Sequence, residues 1–81
     1  MKAEIYGTDF EVSGDYESGF QLHKYENNGT ETVSDIAVKE KVYSLNALNS
    51  VGENLLFLGS LDVGFYVGIM DESGNIILDM K

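Results

Sequence analysis

The first thirty residues alternate apolar and polar side chains with a period of two. Ala3 and Ile5 alternate with Lys2, Glu4 and Tyr6, and Phe10 and Val12 alternate with Asp9, Glu11 and Ser13, the pattern of strands that bury one face. Gly7, standing between the two runs, predicts a turn or bulge. After Ser13-Gly14-Asp15, the run Phe20-Gln21-Leu22-His23-Lys24-Tyr25 alternates again, and Asn27-Asn28-Gly29 supplies residues that tolerate the left-handed backbone of a hairpin turn. The N-terminal third therefore reads as a strand meander.

The C-terminal third gives a different pattern. Leu55-Leu56-Phe57-Leu58 is apolar on both faces, as in a covered central strand, and Phe65, Val67 and Ile69 form a second alternating set. Gly64 and Gly68 share a strand face with Tyr66, and internal packing or sheet curvature is the expected use of that notched face. Asp71-Glu72-Ser73-Gly74-Asn75 suits a type I turn closed by a glycine bulge, leading into Ile76-Ile77-Leu78.

The middle is harder to assign. A single helix over residues 35–50 would split its apolar stripe, with Val38, Val42, Leu45 and Leu48 on one side and Ile36, Tyr43 and Ala47 on the other. As a strand, Ile36, Val38 and Val42 share one face opposite Ala37, Lys39, Lys41 and Tyr43, and β-branched residues suit that reading. A short helix near residues 44–50 could follow, with Ser44 as its cap. The expectation is a mainly β fold in one domain over residues 1–81: a small antiparallel sheet or partly open barrel of five to six strands, with at most one short helix.

Composition narrows the function more by exclusion than by assignment. Fourteen Asp and Glu face five Lys and no Arg, for a net charge of -9 on 81 residues. Nucleic acid as a direct ligand is disfavoured, because displacing counterions from phosphates needs clustered cations. There is no Cys, and hence no disulfide framework and no thiolate chemistry. The N-terminal residues lack a signal-peptide core and no apolar run approaches a membrane span, so the expected setting is the cytoplasm. Asn28-Gly29-Thr30 matches the glycosylation pattern but reads as a turn, since the modification requires export.

No residue pattern commits the chain to catalysis, a metal or a cofactor. His23 is the only histidine, so a Ser, His and acid arrangement would have to run through it. The sequence sets no partner beside it, and a solvent-facing strand position is expected. Asp71, Ser73 and Asn75 alternate like part of a calcium loop, but the glycine and the closing glutamate of such a loop are out of place.

Recognition of a basic protein is the remaining expectation. Glu4, Asp9, Glu11, Asp15 and Glu17 crowd fourteen residues without a cation among them. If the alternation holds, Glu4, Tyr6, Asp9 and Glu11 project opposite Ile5, Phe10 and Val12, with Tyr16 in the turn that follows. Carboxylates steer and set register while aromatics give contact area, so Glu4, Tyr6, Asp9, Glu11, Asp15, Tyr16 and Glu17 form a candidate partner-binding set. The expected role is a non-catalytic inhibitor of a nucleic-acid-handling protein, of the kind a phage or mobile element uses against an RNA-guided nuclease or a restriction enzyme. An immunity protein against a nuclease toxin, and a small virion-type assembly subunit that self-associates as a homo-oligomer, are the alternatives.

Overall fold

The computed structural model describes residues 1–38 and 40–80; Lys39 and Lys81 lie outside the described residues. Eight strands form two four-stranded antiparallel sheets, each a simple meander. The first sheet runs β1 (Lys2–Ile5), β2 (Thr8–Asp15), β3 (Gly19–Tyr25) and β4 (Glu31–Asp35). The second runs β5 (Ser44–Val51), β6 (Asn54–Ser60), β7 (Phe65–Met70) and β8 (Ile76–Met80). The mainly β expectation holds, but the sheets stay open rather than closing into a barrel, and the described residues form eight strands rather than five or six.

Local chemistry explains the turns of the first sheet. Ile5 pairs with Thr8, which leaves Tyr6-Gly7 as a two-residue loop. Both residues have positive φ, 48° and 83°, the signature of the type I′ turn whose twist matches the flanking strands. At the β3–β4 hairpin the Asn28 side chain accepts from the Thr30 N–H at 3.0 Å, and the Glu26 N–H bonds the Thr30 carbonyl.

The segment expected as a helix is β5. It lies at the edge of the second sheet, pairing Leu48 with Phe57 and Asn49 with Leu56, with a bulge between Leu45 and Ala47. Ser44 caps nothing; its hydroxyl donates to Asn46 Oδ1 at 2.8 Å. Two Asn residues make the stretch a weak helix former, and pairing against β6 buries Leu48. Residues 36–38 and 40–43 are not a strand but the crossing between sheets, held by the Ile36 N–H on the Phe20 carbonyl and the Ala37 N–H on the Gly74 carbonyl; the strand position expected for Lys39 lies outside the described residues. Ile36 and Val42 nonetheless point inward.

One core joins the sheets. Ile5, Phe10, Phe20 and Leu22 come from the first, Leu48, Leu55, Phe57, Tyr66 and Met70 from the second, and Ile36 and Val42 from the crossing. In β7 the inward set is Tyr66, Gly68 and Met70, so Phe65, Val67 and Ile69 face outward. The Phe57 ring lies so close over Gly68 that an added Cβ would collide with it. Tyr66, fully buried, donates its hydroxyl to Asp79 at 2.7 Å. Among the described residues no helix is long and apolar enough to cross a membrane.

Candidate protein-binding face

The register of the first sheet gathers acid on its outer face. Glu4, Asp9, Tyr25 and Glu31 form one cross-strand row; Lys2, Glu11, His23 and Val33 form the next; Ser13, Gln21 and Asp35 form the third, with Asp15 beyond. Six carboxylates, Glu4, Asp9, Glu11, Asp15, Glu31 and Asp35, thus share a face on which Lys2 is the only lysine among the described residues. Strands about 4.8 Å apart and alternate residues about 6.7 Å apart make this a dense anionic surface. Glu4 stands directly opposite Asp9, and like charges so placed cost stability.

Hydrogen bonds fix the middle of the face. The His23 Nδ1 lies 2.7 Å from Glu31 Oε2 and its Nε2 lies 2.6 Å from Ser13 Oγ. A carboxylate only accepts, so Nδ1 carries a proton and, in the neutral ring, Nε2 accepts from the Ser13 hydroxyl. Tyr25 stacks beside His23 at 6.2 Å and donates its hydroxyl to Glu11 at 3.3 Å. Burial first, and then the charges of Glu31 and Glu11, push the Tyr25 phenol above its ordinary range. Asp15 is held below the ordinary carboxylate value, chiefly by the Ser18 N–H at 2.8 Å and next by the Ser18 hydroxyl at 2.7 Å.

Ser13, His23 and Glu31 therefore have the order of a nucleophile, a base and an orienting acid, which the sequence did not suggest. The remaining requirement is a set of preorganised donors for an oxyanion inside a water-excluding cleft. Ser13 lines a depression with Met1, Val12, Asp15 and Tyr43, and His23 is not among its lining residues. The trio links side chains of β2, β3 and β4 across the outer face.

The seven residues expected from sequence do not form one patch. Glu4, Asp9, Glu11 and Asp15 are on the face. Tyr6 sits at the tip of the β1–β2 turn, 83% exposed, at one end of β2. Tyr16 and Glu17 are in the β2–β3 turn at the other end, about 25 Å away along eight residues of strand. Tyr16 is also engaged, tilted against Tyr43 at 4.6 Å with the Lys41 ammonium 5.8 Å from its ring centre, so it belongs to the sheet crossing and not to the acidic face. The face gains residues that were not anticipated: His23, Tyr25, Glu31 and Asp35. Hairpin pairing outward from Asn27-Asn28-Gly29 would have found them.

Tyr6 carries a second signal. It is the only described non-glycine residue with positive φ, in a turn position where Asn, Asp or Gly fits better, and its ring is left in solvent. An aromatic held against local preference is a reason to look for function there. Comparison of the chain with known protein families, with curated proteins and with solved structures finds no match.

Proposed function

We propose that the protein is a non-catalytic binding protein that works in the cytosol and blocks a basic partner, one that handles nucleic acid, by docking the outer face of the β1–β4 sheet on a Lys- and Arg-rich surface. The observation that carries this reading is the gathering of six carboxylates from β1, β2 and β4 onto one face that holds a single lysine among the described residues. Among the described residues, Glu4, Asp9 and Glu11 make no ion pair within the chain, so they are available to an outside cation. Tyr6 at the rim and Tyr25 within the face add aromatic contact area. A phage or mobile-element antagonist of a defence nuclease is the biological setting this chemistry fits best.

The test is capture from host lysate by the tagged chain beside two variants. Asp9→Lys with Glu11→Gln changes the face by three charges while placing Lys opposite Glu4 and keeping an acceptor for Tyr25. Glu53→Lys with Asp62→Asn makes the same change of charge in turns of the other sheet. A basic protein held by wild type and by the second variant, but at least about tenfold weaker with the first, supports the reading. Equal loss in both variants would reduce the face to bulk charge, and equal retention in all three would remove it from recognition.

A further inference from the structure

The outer face of the β5–β8 sheet has the opposite character. Its rows are Ala47, Leu58, Val67 and Met80, then Asn49, Leu56, Ile69 and Leu78, then Ser60 and Phe65. No charged residue is among them. Phe65, Leu78 and Met80 are 62%, 58% and 63% exposed, whereas Leu56, Leu58, Val67 and Ile69 are half-buried by their neighbours. An open sheet face of this composition is unusual on a soluble monomer and marks a contact surface.

We infer that this face is covered by a second copy of the chain, in a two-fold, face-to-face dimer of four stacked sheets. Shape is the first argument. A shallow depression of about 210 Å³ lies over β5 and β6 among Ala47, Asn49, Leu56 and Leu58, while on the other side of the face Leu78 and Met80 stand out on β8, walling a second hollow of about 150 Å³ with Val67 and Ile69. A two-fold axis between β6 and β7 sets β8 of each copy over β5 and β6 of the other, so projections meet depressions twice, as an isologous contact requires.

Area is the second argument. Four strands about 4.8 Å apart and roughly six residues long give a plan of about 19 by 20 Å, and on the order of 600 Å² of accessible surface once projecting side chains are included. A pair then clears the roughly 1,000 Å² expected of a specific interface.

Charge permits a second copy as the occupant. Two chains of net charge -9 repel in most orientations, but pairing through this face puts both acidic faces on the outside, three sheet spacings or about 30 Å apart, well beyond the roughly 8 Å screening length at physiological salt. Ser44, Asn46 and Ser60, linked by hydrogen bonds at one end, supply part of a polar rim. The dimer uses the face opposite the acidic one, so its failure and the failure of the proposed function are separate results.

Sedimentation equilibrium of the full chain across low to high micromolar concentration tests this, beside Leu78→Lys with Met80→Lys, which lowers net negative charge and so removes general repulsion as a cause of dissociation. The expected result is a closed dimer of twice the 8.9 kDa chain, weakened at least tenfold in the variant. An unaltered dimer in a folded variant, a wild type that stays monomeric, or open-ended multimers would each overturn the inference. Should the variant fail to fold, wild type decides alone. Ala47 and Met80 lie at opposite edges of one row, about 14 Å apart across three strand spacings, so a nuclear Overhauser contact between their methyls in a mixed-label sample is intermolecular. Its presence supports the dimer and its absence in a sample that sediments as a dimer overturns this geometry.

Discussion

The two sheets have the same topology and share one core, yet their outer faces are opposites. In the β1–β4 sheet, β1 and β2 alternate apolar and polar residues, so burying Ile5 and Phe10 against Leu22 of β3 sends Glu4, Asp9 and Glu11 outward. The β5–β8 sheet does not alternate, so burying Leu55, Phe57, Tyr66 and Met70 leaves Leu56, Leu58, Val67 and Ile69 on the outside. The lesson is that one core can be built from strands with quite different solvent faces, and that the solvent face, not the fold, divides the molecule into a charged side and an apolar side.

The comparison can be broken most severely from within. Gly68→Val forces a side chain into the Phe57 ring and is expected to cost about 2 to 3 kcal/mol, seen as a lower urea midpoint; a neutral result would mean that the apolar sheet is not packed as described. Salt sharpens the contrast. Raising it from 50 to 300 mM is expected to weaken partner capture by the acidic face about tenfold and to leave the apolar dimer unchanged or tighter. Parallel weakening of both would show that the two faces do not differ in kind.

Smaller effects probe the turns at each sheet's end. The Asp71 carboxylate at the β7–β8 turn accepts from the Ser73 N–H, the Asn75 N–H and the Asn75 amide, at 2.8, 3.0 and 3.1 Å. Partial burial, which raises its pKa, is outweighed by these bonds, so the group titrates below its ordinary 3.8. A depressed carboxylate contributes stability above its unfolded value and loses it as pH falls through the folded one. Asp71→Ala is therefore expected to cost about 1 to 2 kcal/mol at pH 7, with the gap to wild type closing below about pH 4; a constant gap down to pH 2 would deny the carboxylate that role. At the β1–β2 turn, Tyr6→Asn is expected to stabilise by about 0.5 to 1 kcal/mol while weakening partner capture. A variant that gained stability and kept full binding would leave the exposed ring without the role assigned to it.

Much of the first sheet was legible because its signals are local. The period-two runs and the Asn27-Asn28-Gly29 turn place β1 to β3 within a residue or two, and the outward direction of Glu4, Asp9 and Glu11 follows from the alternation alone. The Asp71-Asn75 hairpin was legible for the same reason. What could not be read was whatever depends on pairing between segments. The two Asn residues only weaken a helix at residues 44–51; pairing with β6 decides for the edge strand. His23 acquires Ser13 and Glu31 only when β2, β3 and β4 come into register, ten and eight residues away in the chain. Leu55-Leu56-Phe57-Leu58 correctly signalled a central strand apolar on both faces, but a single chain covers only one of them.

The central claim is that the acidic face of the β1–β4 sheet makes the contact with the basic partner. The most direct measurement is the amide and methyl spectrum of the isotope-labelled chain titrated with the protein captured in the lysate experiment. The account predicts shifts confined to Tyr6, Asp9, Glu11, His23, Tyr25 and Glu31, with Leu56, Val67 and Leu78 unmoved. Shifts centred on Leu56, Val67 and Leu78, with the acidic face silent, would contradict it.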